Sequence, residues 1–116
     1  MPPEVAKLLE DMRQAGQRIQ RFTTGRSFPE YGADEMLRSA VERQFEILGE
    51  ALSRLTKVDA VLAAQIPDYR KIIDFRNVLA HGYDAINDPI VWDAVEDQLP
   101  LLLRHVDSML ASVTGP

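Results

Sequence analysis

ADEMLRSAVERQFEILGEALSRLT, residues 33–56, is the stretch whose reading decides the fold. Leu37, Val41, Phe45, Leu48, Leu52 and Leu55 recur three or four positions apart, the spacing of one face of an α-helix and not the alternation of a strand. Met36, Ala40, Ile47 and Ala51 widen that stripe. A stripe so broad suits a central helix with neighbours on two sides.

The helical period continues outward in both directions. Upstream, Val5, Leu8, Leu9, Met12, Ile19 and Phe22 mark a helix over about 3–22, with Pro3 suited to its first turn. Thr23-Thr24-Gly25 ends it, and a loop is predicted through Pro29 and Gly32. Downstream, a short third helix over about 59–65 stops before Pro67, because the residue preceding proline avoids helical angles. A fourth helix, about 68–80, runs into His81-Gly82, with Gly82 as a C-terminal cap. Asn87-Asp88-Pro89 supplies a cap and an early proline for a fifth, which continues through Trp92, Val95, Leu99, Leu102, Val106, Met109, Leu110 and Val113. Pro100 should bend it. The fold predicted is all-α, a compact four- to five-helix bundle. It forms one domain over residues 1–116, with the last few residues frayed.

The bulk composition fits such a domain: 116 residues, 46% hydrophobic and 27% charged. No apolar run reaches the roughly 18 residues of a membrane span, and no membrane partner is expected. Met1-Pro2-Pro3-Glu4 lacks the basic-then-apolar build of a signal peptide, so the expected location is cytoplasmic. The absence of cysteine excludes thiolate catalysis and Cys-based metal sites. With only His81 and His105 besides, a conventional zinc set cannot be assembled, and neither metal nor cofactor is expected. The net charge of −5 argues against a general nucleic-acid binder. Its distribution is uneven. Residues 12–29 hold Arg13, Arg18, Arg21 and Arg26 with no acid, leaving −9 for the remainder once those four charges are set against the total. That run is either a solvated face or a local phosphate-attracting patch.

The fourth helix is chemically unusual. At about 100° per residue, Arg70, Asp74, Asn77 and His81 share one polar stripe, while Ile72, Phe75 and Leu79 lie opposite. Arg76 falls on the flank of the apolar face. A guanidinium there keeps its charge and needs a carboxylate, such as Glu46 or Glu50, or a phosphate. Asp74 is another candidate partner, for Arg76 or for Arg70. Asn77 and His81, four apart, stack on one side. Arg76 and His81, five apart, are separated by about 140° around the axis. A site using all three therefore belongs where two chains meet or where the helix end unwinds. His81 itself sits in the last turn, where a histidine serves either as a cap to the dipole or as a catalyst.

Arg76-Asn77-Val78-Leu79-Ala80-His81-Gly82-Tyr83 resembles the R-N-x-x-x-H-x-Y signature of HEPN domains, and more closely the HepT toxins of HepT–MntA toxin–antitoxin systems. The likeness extends to Ala40-Val41-Glu42-Arg43 and Phe45-Glu46-Ile47-Leu48-Gly49-Glu50-Ala51. It includes Ile66-Pro67 before Ile72-Ile73, then Ile90-Val91-Trp92 and Asp97-Gln98-Leu99-Pro100. It covers about residues 22–102. What it implies is a homodimeric HEPN-like bundle in which two R-x4-H motifs face each other across a cleft. The implied activity is metal-independent RNA cleavage leaving a 2′,3′-cyclic phosphate.

The resemblance also implies roles. His81 acts as general base or acid, Arg76 grips the scissile phosphate, and Asn77 orients His81 or the phosphate. Asp74 and Arg70, on the same stripe as His81, are added from their position as supporting residues. Tyr83 is the implied acceptor of AMP from a minimal nucleotidyltransferase antitoxin, in a type II/VII-like pair that forms a homodimer or a larger hetero-complex. The competing expectation is a non-catalytic HEPN-like module that binds a nucleotidyltransferase or a nucleotide without cutting RNA.

Overall fold

A computed structural model describes residues 1–81 and 87–114, and the side chains of all of these except residues 80, 81, 113 and 114. The predicted cap Gly82 and the predicted AMP acceptor Tyr83 lie outside the described residues. For His81 only the backbone is described. Among the described residues every regular element is helical and there is no strand, as the periodicity predicts.

The elements are α1 (Pro3–Thr23), α2 (Phe28–Ala33), α3 (Glu35–Val58), α4 (Ala60–Ala63), α5 (Tyr69–His81), α6 (Asp88–Asp93), a π-helical turn (Ala94–Gln98) and α7 (Leu99–Thr114). The core is an antiparallel pair, α1 against α3. Val5, Leu9, Met12 and Ile19 of α1 are wholly buried, as are Val41, Leu52 and Leu55 of α3. At about 25 cal/mol per Å² of apolar surface removed from water, this pair supplies much of the driving force. Helix α7 packs on α1, and α5 makes its main contact along the other flank of α3. No helix among the described residues is long and apolar enough to cross a membrane.

One local prediction needs correction and another is refined. The segment through Pro29 and Gly32 is not a loop but the short helix α2. Ser27 and Glu30 form a capping box: the Glu30 amide donates to Ser27 Oγ at 3.3 Å, and the Ser27 amide donates to Glu30 Oε1 at 3.0 Å. Pro29 in the first turn lacks an N–H that would have had no helical partner there. The element is anchored by Tyr31, fully buried with its ring centroid 5.2 Å from that of Trp92. Asp34 then caps α3 by accepting from the Leu37 amide at 3.0 Å, so α3 starts at Glu35.

The last helix refines a second prediction. The disturbance predicted at Pro100 takes the form of a π-helical turn just before it, in which the Leu99 amide reaches back to the Ala94 carbonyl. The wider turn makes room where the proline ring would crowd the carbonyl four residues earlier. The basic run is also less basic in space than in sequence. Arg13 pairs with Glu10 at 2.8 Å and Arg26 with Asp34 at 3.6 Å, both acids lying outside the run. Arg18 and Arg21 make no ion pair among the described residues.

Candidate active site

A missing side chain in α3 lets helix α5 approach closely. Gly49, buried in α3, lies directly beneath Arg76, and a Cβ built on it would overlap the Arg76 Cβ and stand 2.7 Å from its Cγ. Without that Cβ, α5 settles close enough for the arginine stem to lie across α3. Phe75, next in sequence, meets Phe45 of α3 edge-on with ring centroids 5.2 Å apart. Leu79 completes the buried contact of the helix.

The guanidinium is held at both ends. Nη2 donates to Glu50 Oε2, and Nη1 donates to Asn77 Oδ1 at 2.7 Å. The other Glu50 oxygen, Oε1, accepts from Arg54 Nε at 3.1 Å. A chain of four side chains thus runs Arg54–Glu50–Arg76–Asn77 from one helix to the other. Of the two glutamates that the sequence offers as partners for Arg76, the structure selects Glu50. Glu46 pairs instead with Arg43, at 3.2 Å. Arg76 faces an open groove of about 290 Å³ between α1 and α3, whose charged lining is Asp11, Arg43, Glu46, Glu50, Arg54 and Arg76. Three positive and three negative groups leave it nearly neutral.

The other predicted residues are placed as follows. Asn77 is exposed and turned to Arg76; its amide oxygen must face the guanidinium, since the amide NH2 is itself a donor, so the NH2 remains available to an acceptor. Asp74 is exposed and makes no ion pair among the described residues, so it does not neutralise Arg76. Arg70 is turned away to Tyr69, donating to its hydroxyl at 3.0 Å with its guanidinium carbon 5.6 Å from the ring centre. Helix α5 stays α-helical through the backbone of His81. No unwinding between Arg76 and His81 brings the two positions together, and the offset of about 140° stands within one chain. His105 is tied to its own helix, its Nδ1 3.0 Å from the Leu101 carbonyl oxygen. Arg54 was not among the sequence candidates. The signal that reveals it is its four-residue spacing from Glu50, a common ion-pair register on helices.

A helical bundle with an edge helix carrying R-N-x-x-x-H, its arginine fixed from the neighbouring helix, is an all-α HEPN-like domain. The chain belongs to the HepT-like ribonuclease family, whose model, described as "Ribonuclease HepT-like", matches residues 12–109. Its relatives agree. It is 31% identical over 94 residues to "Probable ribonuclease HepT" of Thermococcus cleftensis, covering 81% of this chain and 84% of that one. It is 28% identical over 112 residues to "Putative RNase MJ0127" of Methanocaldococcus jannaschii, covering 97% and 92%. It is 29% identical over 102 residues to "Putative RNase TTE0752" of Caldanaerobacter subterraneus, covering 88% and 90%. No solved structure gives a significant match.

Proposed function

We propose that the chain is a metal-independent endoribonuclease toxin that cuts RNA at a composite R-x4-H site where two copies meet. The observation that carries this reading is the seat of Arg76. Its stem is clamped over Gly49, and its head is oriented by Glu50 and Asn77 at the edge of an open groove. Of the five guanidinium N–H groups, three remain for a ligand beyond Glu50 and Asn77. A phosphodiester is the ligand this geometry suits, with the Asn77 NH2 beside it as a further donor.

In the proposed reaction His81 takes the proton of a ribose 2′-hydroxyl. The 2′-oxygen forms a bond to phosphorus, the P–O5′ bond breaks, and the 5′-oxygen receives a proton from an acid, the second copy's histidine or water. The products are a 2′,3′-cyclic phosphate and a 5′-hydroxyl. Arg76 neutralises charge gathering on the non-bridging oxygens. Dimerisation is supported by the regular helix through His81, which leaves a second chain as the way to bring an arginine and a histidine together. It is supported also by Val78, an exposed aliphatic on the free side of α5.

Control by an antitoxin is part of the same reading. A minimal nucleotidyltransferase transfers AMP to the Tyr83 hydroxyl, releasing pyrophosphate from ATP. The adduct places a phosphate two residues from His81, where it competes with the RNA phosphate for Arg76.

One observation favours the non-catalytic alternative: Glu50 already satisfies the charge of Arg76 without any phosphate. The test separates the two. Expressed alone, the wild-type chain arrests growth and His81→Ala does not, while both purify folded. Co-expression with a nucleotidyltransferase antitoxin adds the mass of AMP to the wild type but not to Tyr83→Phe, which stays toxic. A harmless wild-type chain, or an equally toxic His81→Ala, removes the catalytic reading. An adduct that persists on Tyr83→Phe removes the role given to Tyr83.

A further inference from the structure

We propose that Glu50 is a positioning residue for catalysis, acting through Arg76, and that Arg54 fixes Glu50 for that task. The inference rests on the ribonuclease reading and adds two residues of α3 to its site.

Arg76 and Glu50 are 26% and 39% exposed at their side chains, too open for their attraction to contribute much to stability. Their value lies in direction. An arginine at the edge of a groove has four rotatable bonds and would otherwise sample many of them. Here the Gly49 seat fixes the stem and the Glu50 carboxylate fixes one Nη. The carboxylate is itself constrained, because its second oxygen is held by Arg54 Nε at 3.1 Å. All three residues lie along the same groove.

The electrostatic balance agrees with a positioning role. One carboxylate between two arginines leaves the trio with one net positive charge, within a groove that Asp11, Glu46 and Arg43 bring back to overall neutrality. If Glu50 acted on Arg76 alone, the pair would be neutral and the carboxylate would repel the substrate. Arg54 offsets the Glu50 charge locally.

The experiment is a cleavage assay on a fluorescently labelled single-stranded RNA oligonucleotide, run below the melting temperature of every variant. Glu50→Gln, which keeps an acceptor oxygen but not the charge, should lower kcat about tenfold and change KM less than about threefold. Glu50→Ala should fall further, and the partial rescue by Gln separates orientation from bulk. Arg54→Ala should lower kcat about threefold, since Glu50 keeps its contact with Arg76. The decisive step is the cycle with Arg76→Lys: adding Glu50→Gln should cause little further loss, because the residue through which Glu50 acts has already been changed.

Losses that simply multiply, or a Glu50→Gln enzyme with wild-type kcat, overturn the proposal while leaving the ribonuclease reading in place. A wild-type chain that does not cleave the oligonucleotide overturns both.

Discussion

Gly16 and Gly49 use one device for two purposes. Each lies inside a long helix, where glycine costs about 0.5–1 kcal/mol relative to alanine, and each admits a side chain from a neighbouring helix. Gly16 of α1 receives Leu103 of α7, whose Cδ2 would stand 2.6 Å from an added Cβ. That contact is wholly apolar and closes the core, so the backbone penalty is offset by buried hydrocarbon. Gly49 of α3 receives Arg76, whose stem lies against the glycine while its head continues to Glu50 and Asn77. The apolar gain of that contact lies beside the seat, at Phe75 and Leu79, while the seat itself holds a charged side chain. The Gly16 seat serves packing alone, whereas the Gly49 seat also places a charge.

The sharpest way to break the comparison is to fill both seats. At Gly49 the obstructing atoms are the Cβ and Cγ of Arg76, which cannot move unless α5 moves. Gly49→Ala should therefore lose about 1–3 kcal/mol in a urea melt, despite alanine's better helix propensity. It should also lose at least about tenfold in RNA cleavage, because the Arg76 head leaves its place. At Gly16 the nearest atoms are Cδ2 and Cγ of Leu103 and Cδ1 of Leu99, side-chain atoms that can shift without moving a helix backbone. Gly16→Ala should lose less than about 1 kcal/mol and keep the wild-type cleavage rate. Equal damage from the two substitutions would erase the distinction.

A smaller effect sharpens the contrast within α3, between two of its glutamates. Glu50 has an arginine on each oxygen. Glu42 is pressed instead by burial and by Asp88, which raise its pKa, while Arg38 only partly compensates. Because its folded pKa lies above its unfolded one, the folded chain binds the Glu42 proton more tightly. Stability therefore falls as pH rises through that interval, and the penalty is complete above it. Glu42→Gln should raise Tm at pH 7, with the gain vanishing as pH falls below the ordinary glutamate range. A gain that persists in acid would assign it to something other than this charge.

Much of the fold is legible in the sequence because the apolar stripes of α1 and α3 are long and unbroken. Helix α2 escapes a reading by periodicity, since six residues hold too few turns to show a period. Its real signature, Ser27 followed by Glu30, is a capping box flanking a proline. The site is legible as residue types along one helix, but not as contacts. Asn77 stacks with His81 by spacing alone, yet it faces Arg76. The choice of Glu50 over Glu46 depends on where Gly49 lets α5 sit, a fact of packing between residues that lie 27 positions apart in the chain.

The most direct measurement compares the wild-type chain with Arg76→Ala on single-stranded RNA in the presence of EDTA, with the product ends identified by mass. Wild type should cut under these conditions and leave a 2′,3′-cyclic phosphate and a 5′-hydroxyl. Arg76→Ala should fold, by its helical circular dichroism, yet cut slower by about 10²–10³-fold. Cleavage by the Arg76 variant at the wild-type rate, or loss of wild-type cleavage on chelation, would contradict the account.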